Sequence, residues 1–337
     1  MIKLGKKNDA GTDEKKTERE KVDERRDEIL ARGKKFKYPL QFTKRKLVRN
    51  TIIIAAIAVG GMMAVGWVSL YNMGSTGDVI YRIVRVLPLP VAEVQGENVR
   101  FSDYLMFYRS SIRAIEQQSG DLGGDENANE IRNRYKREAL DKVEELTYAM
   151  KIAKENNIVV TNEEIQEAFS EHRNAGGIEK SEESFLKVIL DNFGLSKDEY
   201  LRMLELSLYK KKVEIVVDQR ANQIAEKVEK MLGENGGSFG ATRDVLGGEI
   251  IYEETGGLVD SKNIDGGRST VALGLQSGEI SRRFVSSNGD GYYFVKLIEK
   301  NETQVNYASI KVDFMEFQER MGKIREEGEI TEYIEIE

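Results

Sequence analysis

The sequence predicts an α+β protein with one transmembrane helix, a mainly α-helical module and a small α+β domain. Three observations lead there. Residues 51–71, TIIIAAIAVGGMMAVGWVSLY, carry no charge, and at about 1.5 Å of rise per residue they span roughly 31 Å, the depth of a hydrocarbon core. Residues 101–212 repeat apolar side chains at helical spacing between recognisable caps. Beyond Gly233 glycine becomes frequent, and runs such as Gly291-Tyr292-Tyr293-Phe294-Val295 read as strands.

The predicted divisions are a charged cytoplasmic arm (1–50), the transmembrane helix (51–72), a linker (73–90), the helical module (91–212), the α+β domain (213–314), and a C-terminal helix with a strand-like tail (315–337). The arm is almost devoid of apolar residues between Gly11 and Glu28, so it builds no core. Lys34, Lys35 and Lys37, interleaved with Phe36, Tyr38 and Phe42, suit an anionic inner leaflet, and Lys44, Arg45, Lys46 and Arg49 add to this charge. Only Arg82 and Arg85 follow closely on the other side, beside Asp78. The bias places the N-terminus in the cytoplasm and residues after about 73 outside, as a single-pass cell-membrane protein. The run begins too far into the chain for a cleaved signal peptide. Trp67 and Tyr71 suit the headgroup layer. Gly60 and Ala64 form a small-xxx-small pair, a route to a homo-oligomer through the transmembrane helix.

Composition narrows the function. The net charge of −7 over 337 residues argues against nucleic acid as a partner. There is no cysteine and a single histidine, His172. Disulfides, thiolate sites, cysteine nucleophiles and histidine triads are therefore not expected, nor is a metal or other cofactor.

Past the membrane, Asn72 and its neighbours up to Gly77 read as polar linker, and Pro88 and Pro90 stop any helix, marking a domain boundary. Apolar residues flanking Gln95-Gly96-Glu97-Asn98 predict a hairpin. Ser102 is placed to cap the next helix, which carries Leu105, Met106, Ile112 and Ile115. A long helix through Ile131, Tyr135, Leu140, Val143, Leu146 and Met150 ends at Asn156-Asn157. Thr161 with Glu164 forms a capping box stapled by Val160 and Ile165, and Ser196 with Glu199 forms another stapled by Leu195 and Tyr200. A short helix around 185–190 lies between them, and a further helix over 221–232 ends at Gly233.

The phrase VAEVQGENVRFSDY, the NNIVVTNEEI joint and the FGLSKDEYLRMLELSLYKKK helix resemble the N-terminal chaperone module of the SurA family and its membrane-anchored PrsA- and PpiD-like relatives. That resemblance implies an extracytoplasmic holdase sheltering unfolded or newly exported polypeptide in an apolar cradle, for which Phe107, Tyr108, Phe169 and Phe185 are the candidate binding residues. Gly247-Gly248-Glu249-Ile250-Ile251-Tyr252, then Leu275-Gln276-Ser277-Gly278-Glu279-Ile280-Ser281, then Gly291 to Leu297 are similar in order to parvulin-type (PpiC-type) prolyl isomerases. This implies a groove around Tyr252, Phe284 and Tyr293. The catalytic set departs from the family pattern. Tyr293 stands at the final-strand histidine, and the other histidine position falls on Glu214 if 213–217 supplies the first strand, or on Ile310 if 307–312 does. The expectation is therefore polypeptide binding without catalysis, with a scaffold of an envelope complex and an active isomerase as alternatives. The acidic tail is expected to complete the sheet of the second domain, and it offers no regular calcium loop.

Overall fold

The computed structural model of the chain describes residues 18–37, 39–72, 74–120, 122–123, 126–174 and 180–336. Residues 1–17 of the expected arm and the side chains of its basic-aromatic stretch, 34–46, lie outside the described residues. The chain divides into two units, Met1–Trp67 and Val68–Glu337.

In the first unit, α1 (Glu18–Lys37) exposes every described side chain, as its lack of an apolar face dictates. Arg32 and Glu28 pair across one turn at 3.1 Å. Helix α2 (Pro39–Trp67) carries most of the apolar run. The stretch Leu47–Tyr71 is long and apolar enough to cross a membrane, with a mean hydropathy of 2.2 and none of its most apolar window buried.

The second unit begins with a π-helical turn, Val68–Asn72. Leu70 from this turn is buried in the first core, and Tyr71 donates from its hydroxyl to the Pro90 carbonyl at 2.8 Å while its ring meets Phe101 edge-on. Helix α3 (Asp78–Val86) then packs through Val84, Ile80 and Tyr81 onto the same core. The stretch expected as a linker, 73–90, is thus folded structure. One side of the helix, carrying Ile80, Tyr81 and Val84, finds a core to pack on, which a solvated connector does not.

Strands β1 (Pro90–Val94) and β2 (Glu97–Arg100) form the expected hairpin. Gln95 and Gly96 turn it with φ of 47° and 84°, the left-handed pair that a two-residue hairpin loop requires. Helix α4 (Phe101–Ser119) starts one residue before Ser102, which is buried in its first turn, and the cap position is taken by Arg100. Helix α5 (Glu126–Glu155) is the long central helix. The two capping boxes are both present, opening α6 (Asn162–Arg173) and α8 (Lys197–Val217), with α7 (Glu182–Phe193) between them. These three helices enclose a satellite core of Phe169, Phe185, Ile189, Tyr200 and Leu204.

From Asp218 the chain enters a second architecture. Helices α9 (Gln219–Glu234) and α10 (Phe239–Leu246) precede β3 (Ile251–Glu254), β4 (Val259–Asp260), α11 (Arg268–Gly274), β5 (Phe284–Val285), β6 (Gly291–Lys300) and β7 (Gln304–Asp313). The sheet is antiparallel with the order β3-β7-β6-β5, and β4 adds to β7. One face, through Phe294, Ile310 and Val312, packs on α9 and α10; the other, through Val295, Leu297 and Tyr307, packs on α11. This alternation is the period-two pattern of a sheet covered on both sides.

The chain then returns to the helical module. Helix α12 (Glu316–Glu326) inserts Phe317, Met321 and Ile324 into the first core, and β8 (Ile330–Glu332) pairs antiparallel with β1. The tail therefore completes the hairpin sheet, in the order β2-β1-β8, and not the sheet of the second domain. The reason is geometric: β3 and β5 already flank the larger sheet, whereas β1 has an open edge that Ala92, Glu93 and Val94 offer to Glu332, Thr331 and Ile330. Both crossings between the two architectures are tied by one side chain. The buried carboxylate of Asp218 accepts from the amide of Ala221 at 2.7 Å, capping α9, and from the amides of Met315 and Glu316 at 2.6 and 3.0 Å, where α12 begins.

Candidate functional site

The four aromatic residues read as cradle-lining occupy interior positions. Tyr108, Phe169 and Phe185 are buried and Phe107 is half-buried between the two helical cores. Phe169, Phe185 and Tyr200 meet edge to face at centroid distances of 5.5–6.1 Å, and Tyr108 stacks on Tyr104. Such clusters hold helices together by area burial plus quadrupole contact, so these rings are packing residues. His172, at the end of α6, is exposed, and its Nδ1 lies 2.8 Å from the Tyr200 hydroxyl.

The accessible feature of the helical module is a cleft of about 660 Å³ between α3, α4 and α7. Its apolar lining includes Met106, Ile112, Leu190 and Phe193, the last two being exposed at the end of α7. Its rim carries Arg109, Arg113 and Arg132 opposite Asp78, Glu116, Asp191 and Glu199. Arg109 is paired with Asp78 and lies 4.7 Å from the Tyr81 ring centroid, while Arg113 donates to the Asp191 carbonyl at 3.2 Å. The rim is thus pre-organised, and it mixes both signs around an apolar floor. Of the four predicted cradle residues Tyr108 lines this cleft; sequence reasoning missed the rest of it, although Leu190 and Phe193 are apolar positions in the last turn before the Gly194 that ends α7.

On the sheet, the residues read as a groove separate onto two faces. Tyr293 pairs with Lys311 across β6 and β7, and with Phe284 across β5 and β6. Tyr252 instead pairs with Ile310 and joins the opposite face, against α9 and α10. Ile310 is buried there too, and Glu214 lies on α8, ion-paired with Lys210 at 3.4 Å. Neither comes to Tyr293. Residues 213–217 belong to α8, while 307–312 lie in β7 at the middle of the sheet, in a register that puts Lys311 rather than Ile310 beside Tyr293.

That face holds a closed polar network. The Tyr293 hydroxyl donates to Asp290 at 3.0 Å, the Ser286 hydroxyl donates to Asp290 at 2.5 Å, and the Lys311 ammonium bridges Asp290 and Asp313 at 2.6 and 2.7 Å. Burial pushes the Asp290 carboxyl up, but Lys311 and the two hydroxyls outweigh it and hold the group below the usual range. Burial and the Asp290 charge push the Tyr293 phenol up to about 12. Nearby, the Tyr307 hydroxyl donates to Asp265 at 2.6 Å, and Arg268 bridges to Glu253 at 2.7 Å with its guanidinium 5.4 Å from the Tyr293 ring centroid. A second cleft, about 810 Å³, runs between the end of α6 and the loops flanking α11 and β5, lined by His172, Lys211, Ile264, Val271 and Phe284 among others. Among the described residues no three histidine, cysteine or acidic side chains gather as a metal site.

A family model described as a SurA-like N-terminal domain matches residues 40–214, just over half of the chain. No curated protein matches the sequence.

Proposed function

Because the chain belongs to the SurA-like N-terminal domain family, we propose that it is a membrane-anchored chaperone that holds unfolded or newly exported polypeptide outside the cytoplasm, and that its sheet domain is a parvulin-like module without prolyl isomerase activity. The family match supports a chaperone-type protein. The observation that carries the holding function is the cleft between α3, α4 and α7. An apolar floor ending in exposed Leu190 and Phe193, ringed by fixed arginines and carboxylates, takes apolar side chains below and backbone carbonyls at the rim. Anchoring rests on the apolar stretch Leu47–Tyr71, and the orientation rests on the excess of lysine and arginine before it.

The proposed loss of catalysis rests on the polar network at Tyr293. Prolyl isomerisation requires stabilising a twisted peptide bond against a barrier of ~18–20 kcal/mol, which takes donors or apolar walls not already committed elsewhere. Here Tyr293 and Lys311 both spend their polar atoms on Asp290.

The test uses the full chain in lipid nanodiscs. It is expected to suppress aggregation of a chemically denatured model protein at near-equimolar ratio while leaving the rate of prolyl-peptide isomerisation unchanged. Leu190→Asp combined with Phe193→Asp is expected to weaken client binding about tenfold, the effect of removing roughly 1.4 kcal/mol of apolar contact. Unchanged suppression by that variant would move the client site elsewhere. No suppression by the wild-type chain would favour the scaffold reading, and catalysed isomerisation would overturn the inactive-module reading.

A further inference from the structure

Helix α3 is packed on one side only. Ile80, Tyr81 and Val84 face the first core. At 100° per residue, Val79, Ile83 and Val86 fall together on a different arc about 60° wide, and they are 71, 39 and 80% exposed; Leu87, the extended residue that ends the helix, follows at 50%. Three large aliphatic side chains on one arc of a nine-residue helix, with a fourth at its C-terminal cap, are more than scattered surface hydrophobics, and the arc is bordered by the cations Arg82 and Arg85. Arg85 leans on Glu199 at 3.5 Å, whereas Arg82 is exposed and forms no ion pair among the described residues.

Position in the chain identifies the occupant. Tyr71, the last residue of the apolar stretch, precedes Val79 by eight positions, a reach of at most about 28 Å if fully extended. The actual separation is more constrained, because Leu70 and Val84 belong to one core and Tyr71 packs against it. A chain that leaves the bilayer at Tyr71 therefore holds α3 at the bilayer surface. An aliphatic arc with a cationic edge is the composition of a helix that lies in the headgroup layer of an anionic membrane. We propose that α3 docks its Val79-Ile83-Val86 face into the outer membrane–water interface, so that the helical module is seated on the bilayer rather than suspended from it. This rests on the anchoring reading above and adds a second lipid contact to it.

The native chain contains no cysteine, so single-site labelling of the full chain tests the seat directly. Ile57→Cys reports the span, Val79→Cys, Ile83→Cys and Val86→Cys report α3, and Val188→Cys and Val245→Cys report exposed apolar positions elsewhere. Each variant carries an environment-sensitive fluorophore and is reconstituted in vesicles of mixed phosphatidylcholine and phosphatidylglycerol with brominated acyl chains. Labels at 79, 83 and 86 are expected to shift to the blue and to be quenched by at least about half as much as the label at 57, with those at 188 and 245 unquenched. Arg82→Glu is expected to reduce the quenching at 83 by about twofold in anionic vesicles and little in neutral ones. Strong quenching at 57 with none on α3 overturns the seat and leaves the anchor standing. No quenching at 57 overturns both. A blue shift on α3 that grows with protein density without bromine quenching assigns the face to a second copy of the chain and overturns the lipid assignment.

Discussion

The helical module and the sheet domain solve the problem of enclosing a core in opposite ways. In the sheet domain the partners are near one another in sequence: β6 and β7 are joined by a tight turn, and even the bond from Arg283 to Asn222 spans only 61 positions. In the helical module the core stays open until α12 and β8 return to it. Phe317 meets Tyr148 at a centroid distance of 5.6 Å, and Arg137 pairs bidentately with Glu332, 195 positions away. The difference teaches that the family-like segment is an incomplete structural unit by itself, and that the sheet domain is an insertion into it.

The sharpest way to break that comparison is Phe317→Ala. Its ring is 1% exposed at the centre of the first core, so the loss is expected to cost about 3–5 kcal/mol. Hydrogen exchange should show α4, α5 and β1 losing protection while β6 and β7 keep theirs; equal loss in both would mean that the two cores melt as one.

Glu144 gives a pH-dependent version of the same test. Its carboxyl is 1% exposed on α5, 3.5 Å from Arg325 of α12, with Asp141, Arg137 and Glu332 also bearing on it and one oxygen without a hydrogen-bond partner. Burial, then the Glu332 charge, raise it from 4.5 to about 7 in spite of Arg325. A carboxyl raised on folding is protonated in the folded state while the unfolded chain has released its proton. Its contribution is thus fully present below pH 4.5 and is lost as the pH rises to about 7. Relative to Glu144→Gln, the wild-type chain should lose about 2–3 kcal/mol of stability across that window. Urea titrations of both chains at either end of it measure this; a constant difference would disprove the coupling.

Gly291→Ala addresses the sheet. A β-carbon there would lie 2.3 Å from the Val312 carbonyl oxygen, too close for any rotamer to relieve. The expected cost is about 2 kcal/mol, confined to β6 and β7, with α12 unaffected by hydrogen exchange. The smallest effect belongs to Thr161→Ala, which removes one half of a capping box and is expected to cost about 1 kcal/mol, read as increased exchange in the first turn of α6 alone.

What the sequence made legible was local. The hairpin at Gln95-Gly96, the boxes at Thr161 and Ser196 and the apolar run before Tyr71 each announce themselves within a few residues, and each is present. What it concealed depended on distance or register. Nothing around Ile330 points to Ala92 as its neighbour, and nothing in Phe317 marks it as a core residue of a module that ends 100 positions earlier. Residues 307–312 read as one candidate first strand with Ile310 at its histidine position, but the register sets Lys311 beside Tyr293 and turns Ile310 to the opposite face, because successive residues of a strand alternate. The burial of Phe169 and Phe185 was hidden for a related reason: helical spacing shows that they share a face with their neighbours, not whether that face looks inward or outward.

The Asp218 clasp has a consequence for the order in which the molecule is made. The ribosome delivers the chain from its N-terminus, so α4 to α8 emerge before the residues that finish their core, and the insertion emerges whole in between. All the strands of the larger sheet precede α12 in the chain. The helical module must wait, and the amides of Met315 and Glu316 reach the carboxylate of Asp218 only when the last stretch arrives. That contact holds α12 at the point where α8 gives way to α9, beside the unfinished core that it enters. A nascent copy thereby passes through a state with apolar helices uncovered, and it leaves that state only once α12 has emerged.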